Sequence, residues 1–202
     1  MDPTTPLESE HRHRLLEGMS HAVAAKGYAD TTIADIVREA AVSRRTFYEH
    51  FQTKADCLIA LYEAASHNAL KVLRSAIDPA RDWQTQVEQA MGAYLGCLAQ
   101  NPVLMRTLFI EILGLGEPGL AARRRANQEI ADFMLGVING SASDAKQSAR
   151  RTGTLSADMA TAVVGGINEL VLQAIERGKV GDLGELVETS SLLVRAVAQR
   201  KG

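Results

Sequence analysis

Apolar residues recur every three or four positions through most of the chain, which is the spacing of one face of an α-helix. Over residues 10–26 that face is formed by Leu15, Leu16, Met19, Ala22 and Val23. Gly27 follows at a position typical of a helix end. Residues 1–9 contain two prolines and several hydroxyl side chains, and we expect them to be a disordered lead-in.

Two short helices are predicted next. Thr32 and Asp35 form the capping-box pattern, in which the first side chain accepts from a backbone amide and the second reaches back. A tight turn at Ala41 follows, and Ser43 can cap another helix that runs to His50. Two short helices joined by a tight turn are the outline of a helix-turn-helix unit.

The rest of the chain predicts longer helices, at about residues 55–77, 82–100, 101–113, 120–138, 157–177 and 182–200. Gly114 to Gly119 is expected to break the pattern, and residues 139–156 to form a loop. Asp182 should cap the last helix. Since no segment alternates as a strand does, the predicted fold class is all-α, with a three-helix N-terminal unit over 1–53 and a larger helical domain over 54–202.

Composition and charge narrow the class of protein. Apolar residues make up 46% of the chain and aromatic residues 4%, which provides a core and favours helices over strands. The N-terminal residues lack the apolar core of a secretory signal, and no apolar run reaches the roughly 18 residues of a membrane span. A soluble, cytoplasmic protein is expected. Cys57 and Cys97 are expected to be buried thiols, with a redox role as the alternative.

The predicted third helix carries side chains suited to DNA. Arg44 and Arg45 lie at its start, the end that normally enters the major groove, where Arg can bond two acceptors of one guanine. Donors suited to phosphates surround them, at Thr32, Thr46, Tyr48, His50 and Lys54. The alternative is a helical hairpin whose polar side chains form an ordinary solvated face. The net charge of −2 argues against non-specific coating of nucleic acid, but not against a local contact surface.

Residues 31–58 resemble the DNA-binding region of the TetR (tetracycline-repressor) family. The matching positions are Thr32, Ile33, Ala34, Ile36, Val42, Ser43, Phe47, Tyr48, Phe51, Lys54 and Leu58. The resemblance implies a repressor with base-edge contacts from Arg44 and Arg45, and it implies phosphate contacts from Thr32, Ser43, Thr46, Tyr48, His50 and Lys54. Ala41 stands where the family usually has Gly, so a turn that Ala can also adopt is expected. Arg45 stands where Gly is frequent in the family, so the base that is read is expected to differ.

The last two predicted helices carry more apolar surface than one core contact needs. A helix that is apolar nearly all round must be buried, which predicts a two-fold homodimer and an inverted-repeat operator. The candidate interface residues are Met159, Val163, Gly166, Ile167, Leu170, Leu183, Leu186, Val187 and Val194. The alternative is that all of this surface is buried within one chain.

The middle helices are expected to hold a small, apolar effector that releases the protein from DNA. Candidate pocket residues are Met91, Tyr94, Leu98, Met105, Leu108, Phe109, Phe133 and Met134, which a plain core would contain equally well. Gly114 to Gly119 matches G-x-G-x-x-G but lacks the surrounding βα units, so no cofactor is expected. Neither a metal site nor a catalytic motif is predicted. The alternative function is a helical small-molecule carrier or enzyme with an idle helix-turn-helix.

Overall fold

The computed structural model describes residues 6–139 and 155–198, and within these ranges every regular element is helical. The α-helices are α1 (Pro6–Asp30), α2 (Ile33–Glu39), α3 (Arg44–His50), α4 (Lys54–Ser75), α5 (Trp83–Ala99), α6 (Pro102–Phe109), α7 (Glu117–Asn139), α8 (Ala157–Glu176) and α9 (Val187–Ala198). Two 3-10 helices cover Glu111–Leu115 and Val180–Leu186. The predicted all-α fold class is confirmed.

These residues fall into two compact units. The first joins residues 6–65 with 103–123, and the second joins 66–102 with 124–139 and 155–198. The predicted domain division at residue 53 concerns function and stays a prediction. None of the described helices is long and apolar enough to cross a membrane.

The core of the first unit is formed where α1, α2 and α3 pack together. Its fully buried side chains include Leu15, Met19, Ile36, Phe47 and Leu58. Gly18 lies between Leu15 and Met19, and a Cβ there would come within 2.6 Å of the carbonyl oxygen of Ile36. The absence of a side chain at residue 18 therefore allows α1 and α2 to approach closely.

The start of α1 differs from the prediction. Residues 6–9 are helical, so the expected disordered lead-in is wrong there, and residues 1–5 lie outside the described residues. Proline is well tolerated in the first turn of a helix, because the amide it lacks has no partner there. Glu8 lies in that turn, where an acid interacts favourably with the helix dipole.

Two other predicted boundaries are also wrong. The expected break over residues 114–119 is confined to Gly116, whose φ is 65°, and α7 begins at Glu117. Asp182 does not cap the last helix, since residues 180–186 form a 3-10 helix and α9 begins at Val187. In 3-10 geometry, residues three apart lie on one side, and Val180 and Leu183 are both buried. Burial of this pair accounts for the tighter turn.

The second unit forms its core from α5, α8, α9 and the 3-10 helix over residues 180–186. Buried side chains include Val87, Leu95, Val163, Val171 and Leu183. The predicted loop over 139–156 lies mostly outside the described residues. At its edges, the Asn139 side chain donates to the Leu155 carbonyl at 3.0 Å and accepts from the Leu155 amide at 2.9 Å.

Candidate DNA-binding surface and apolar cavity

The start of α2 is fixed by the predicted capping box. The Thr32 hydroxyl accepts from the Asp35 amide at 3.3 Å, and the Thr32 amide donates to the Asp35 carboxylate at 2.9 Å. The carboxylate also accepts from Lys26 and, at 3.0 Å, from Arg38. Hydrogen bonds from Lys26, Thr32 and Arg38 hold the pKa of the Asp35 carboxyl well below its usual range. Asp35 is therefore a charged junction that joins α1 to α2.

The turn between α2 and α3 is left-handed at Ala41, whose φ is 50°. This conformation favours glycine, which the family usually has here. The Val42 amide donates to the Val37 carbonyl at 3.1 Å, and the Ala41 carbonyl accepts from the guanidinium of Arg14. These bonds hold the turn in a conformation that alanine adopts at some cost.

One side of α3 is anchored in the core. Ser43 caps this helix and accepts from the Thr46 amide at 3.0 Å. Phe47 is fully buried, and its ring lies 5.8 Å from that of Phe51, centre to centre. The opposite side of α3 is thereby turned outward.

That outward side carries most of the predicted DNA contacts. Arg44, Arg45 and Tyr48 are exposed on it, together with Glu49, which the sequence analysis did not include. Thr32 and Ser43 are also exposed, whereas Thr46 and His50 are half-buried. Glu49 could have been found from the sequence, because it is an acidic residue on a predicted helix whose other polar side chains are suited to DNA.

Lys54 differs from the other predicted contacts, because its ammonium group is already engaged. It donates to the carbonyls of Tyr28 at 2.8 Å, Thr31 at 2.7 Å and Ala29 at 3.4 Å. It also lies 4.2 Å from the centre of the Tyr28 ring. These three carbonyls follow Gly27, whose φ of 80° interrupts α1, so Lys54 holds together the short segment that ends α1.

The second unit contains an apolar cavity of about 60 Å³ that is partly open to solvent. It is lined by Leu73, Ile77, Trp83, Val87, Ala90, Met91, Tyr94, Ile130, Phe133, Met134, Val137, Ile138, Val164, Ile167, Asn168 and Val194. The side chains come from α4, α5, α7, α8 and α9 and, at Ile77, from the segment that follows α4. No lining residue is ionisable except Tyr94, so the cavity suits an uncharged ligand or the apolar part of a larger one.

Four of the eight predicted pocket residues line this cavity, namely Met91, Tyr94, Phe133 and Met134. The other four do not: Leu98 is buried elsewhere in the second unit, and Met105, Leu108 and Phe109 belong to the first unit. The contributions of α4, α8 and α9 were missed, because helical periodicity does not reveal which distant helices meet.

One buried hydrogen bond lies at the wall of the cavity. Asn168 is buried, and its amide donates to the side-chain oxygen of Asn127 at 2.9 Å. Near another part of the lining, the guanidinium of Arg74 lies 5.6 Å from the centre of the Phe133 ring. These are polar contacts beside an otherwise apolar space, and they could orient a ligand.

The predicted interface residues fall into two groups, one buried and one half-buried. Val163, Ile167, Leu183 and Val194 are buried within the single chain and so have little surface left for a partner. The others are half-buried: Met159, Gly166, Leu170, Leu186 and Val187. Leu192 was not predicted, but its side chain on α9 is 59% exposed.

The two thiols are not activated. Cys57 is fully buried, and burial is the main cause that raises its pKa to about 12. Cys97 is half-buried, and burial raises its pKa too. Because the thiolate is the reactive form, these surroundings disfavour a redox role. Within the described ranges, no three His, Cys, Asp or Glu side chains cluster as metal ligands would.

The fold and the outward side of α3 define a helical protein of the helix-turn-helix class. Residues 16–61 match the family described as "Bacterial regulatory proteins, tetR family". The likeness to this family therefore covers the helix-turn-helix region of the chain, residues 16–61.

Among curated proteins, the chain is similar to YxbF of Bacillus subtilis (strain 168), an uncharacterized HTH-type transcriptional regulator. The two are 29% identical over 77 residues, which are 38% of this chain. The matched segment spans only 20% of the length of YxbF. This likeness is thus confined to one part of each protein.

Solved structures extend the likeness of fold to nearly the whole chain. FadR from Bacillus halodurans, a fatty acid degradation regulator, has 18% identity and a TM-score of 0.75, covering 90% of this chain and 97% of its own. FadR from Bacillus subtilis, in complex with stearoyl-CoA, has 17% identity and a TM-score of 0.75, covering 93% and 98%. A putative TetR-family regulator from Syntrophomonas wolfei has 19% identity and a TM-score of 0.74, covering 94% and 95%. At these identities the comparison establishes the fold.

Proposed function

We propose that this chain is a cytoplasmic transcriptional repressor that binds an inverted-repeat operator as a homodimer. The observation that carries the proposal is α3, which is capped at Ser43 and anchored by the buried Phe47. Anchoring on one side leaves Arg44, Arg45 and Tyr48 exposed on the other, within a segment that matches a family of DNA-binding regulators. In our assignment, residues 1–53 bind DNA and residues 54–202 bind the effector and the partner.

The proposed contacts divide into two kinds. Arg44 and Arg45 read base edges, because a guanidinium can bond both major-groove acceptors of guanine. Five side chains hold phosphates on either side, namely Thr32, Ser43, Thr46, Tyr48 and His50. Lys54 contributes by holding the end of α1, since its ammonium would have to leave three carbonyls to reach a phosphate.

The proposed effector is a small molecule with a large apolar part, bound in the cavity of the second unit. The lining is apolar apart from a few polar groups, and a volume of about 60 Å³ is several times the roughly 10–15 Å³ that one water needs. The structure of FadR from Bacillus subtilis was solved with stearoyl-CoA, a ligand with a long apolar chain. To admit an acyl chain of that length, the cavity would have to widen, with flexible lining residues such as Met91 and Met134 moving aside.

Effector control follows from linkage in this proposal. A ligand that binds better to the form with low DNA affinity must weaken DNA binding by its ratio of affinities for the two forms. An apolar effector would therefore lower operator affinity without touching α3. The rival function, a carrier or enzyme with an idle helix-turn-helix, predicts no such coupling.

The test is selection of bound sequences from a random DNA library by the full chain at about 0.15 M salt. Wild-type protein should enrich one inverted repeat. The double variant Arg44→Ala, Arg45→Ala should lose base preference and keep only weak, salt-sensitive binding. A matched control, Arg123→Ala with Arg124→Ala on α7, removes the same charge and should enrich the same repeat as wild type. Failure of the wild type to enrich any sequence would contradict the proposal.

A further inference from the structure

Two oppositely charged side chains lie at the centre of the outward side of α3. A helix turns by about 100° per residue, so Arg45 and Glu49 lie almost opposite the buried Phe47. Their side chains are 90% and 53% exposed. In the proposed function, this outward side of α3 is the side that faces the major groove.

The two side chains are joined to each other. The Arg45 Nε donates to the Glu49 Oε1 at 3.0 Å. This bond uses one of the five N–H donors of the guanidinium and one of the two carboxylate oxygens. The Nη groups of Arg45 and the second oxygen of Glu49 remain available, and both lie near the same point on the helix surface.

The pair is poorly placed to stabilise its own helix. Glu before Lys or Arg is the better order for charges four residues apart, and here the order is reversed. Arg45 lies in the first turn of α3, where the helix dipole favours an acid, and Glu49 lies near the end, where it favours a base. A stabilising role therefore does not account for the arrangement.

An exposed carboxylate in this position also opposes DNA binding in general, because it approaches a polyanion. The cost is offset only where the carboxylate meets a hydrogen-bond donor on a base. In the major groove, cytosine presents such a donor at N4, whereas thymine presents an acceptor at O4 in the equivalent place. Adenine also has a donor, at N6, but its N7 acceptor lies beside it and repels a carboxylate. The pairing with Arg45 lowers the cost further, because it partly neutralises the carboxylate and limits its rotamers.

We infer that Glu49 is a specificity-determining residue that selects cytosine and rejects thymine at one position of each half-site. The inference rests on the proposed function and adds to it the base that is selected, cytosine, and the residue that selects it, Glu49. Arg45 and Glu49 are four residues apart, about 6 Å along the helix axis, but their joined head groups are only 3.0 Å apart, and successive base pairs are about 3.4 Å apart. The selected cytosine therefore lies in the same base pair as the guanine read by Arg45, or in a neighbouring one.

The experiment compares selections from one random DNA library by the full-length wild type, Glu49→Gln and Glu49→Ala. Gln keeps the size of the side chain but adds a donor, and so it should accept thymine and adenine as well. Glu129→Gln, an exposed site on α7, is the control for loss of one negative charge. Circular dichroism of each variant verifies that it folds.

The wild type should prefer cytosine over thymine about ten-fold at one position of each half-site. Both Glu49 variants should reduce that ratio to about two-fold there and leave the other positions unchanged, while the control behaves as wild type. If the Glu49 variants bind every sequence more tightly with unchanged base frequencies, the inference is wrong and the proposed function stands. If the wild type enriches no sequence, the inference and the proposed function are both wrong.

Discussion

At the scale of single residues, the first unit, which is proposed to bind DNA, depends on charged side chains that bind other groups of the same unit. Asp35 accepts from Lys26 on α1 and from Thr32 and Arg38 around α2. Lys54 joins the start of α4 to the last carbonyls of α1. Both are charged residues in a region where charges suggest DNA contacts, and both instead fix the helices that present α3.

The Asp35 junction predicts a dependence of stability on pH. Its carboxyl has a pKa in the folded state well below the unfolded value of about 3.9, so its stabilising effect is complete above about pH 5 and is lost progressively as pH falls below about 4 toward the folded pKa. We expect Asp35→Asn to lower the free energy of unfolding at pH 7, and the gap to the wild type to narrow by pH 3.5. Urea denaturation at several pH values measures this.

The control for this prediction is Asp182→Asn, an exposed aspartate in the second unit. It should show a smaller difference from the wild type at pH 7. A gap between Asp35→Asn and the wild type that stays constant from pH 7 to pH 3.5 would show that the charge of Asp35 does not stabilise the fold.

At the scale of elements, close packing of α1 on α2 depends on one position. A methyl group on residue 18 would lie 2.6 Å from the Ile36 carbonyl oxygen and 2.8 Å from the Ala40 amide nitrogen, and both are backbone atoms that cannot rotate away. The two helices would have to separate, and α2 would shift with the turn that orients α3.

We therefore expect Gly18→Ala to destabilise the protein by about 1–3 kcal/mol, the usual cost of overpacking a core. Gly96→Ala is the matched change, since Gly96 lies inside α5 and a Cβ there meets no atom within 4 Å. It should stabilise by about 0.5–1 kcal/mol, because alanine is the better helix former. Chemical denaturation of both variants measures the contrast, and equal effects would refute the packing argument.

Helix ends show how far local sequence determines an element. The caps at Thr32 and Ser43 were predicted and are present, because each involves atoms within one turn of chain. The predicted start of the last helix, at Asp182, is wrong. Burial of Val180 and Leu183 against the rest of the second unit outweighs the capping pattern at Asp182. Packing with distant residues decided that boundary.

At the scale of the whole molecule, the proposed dimer can be tested at one exposed residue of α9. Leu192 is 59% exposed, and it lies on one of the two helices proposed to meet the partner. In a two-fold dimer the residue occurs twice, so covering the exposed 59% of each copy would contribute on the order of 2–4 kcal/mol.

Leu192→Glu should therefore weaken the dimer by at least a hundred-fold in Kd, as measured by sedimentation over a range of concentrations. Leu120→Glu on α7 is the control, because Leu120 is similarly exposed, at 45%. The control should sediment as the wild type does. A wild type that is monomeric at micromolar concentration, or a Leu192→Glu variant with unchanged dimerisation, would contradict the proposed interface.

The sequence alone determined the features that neighbouring residues produce. Apolar spacing predicted most of the helices, caps predicted where α2 and α3 begin, and the pattern around Phe47 predicted which side of α3 faces outward. These features depend on hydrogen bonds and faces within one or two turns, so the residues that decide them lie side by side in the chain.

Only the tertiary structure decided which faces meet. It placed Met91 and Phe133 on one cavity but Met105 in the other unit, and it buried Val163 within the chain rather than leaving it for a partner. Periodicity shows that a residue lies on an apolar face but not what covers that face. Covering depends on contacts between helices far apart in sequence, and those contacts exist only once the chain has folded.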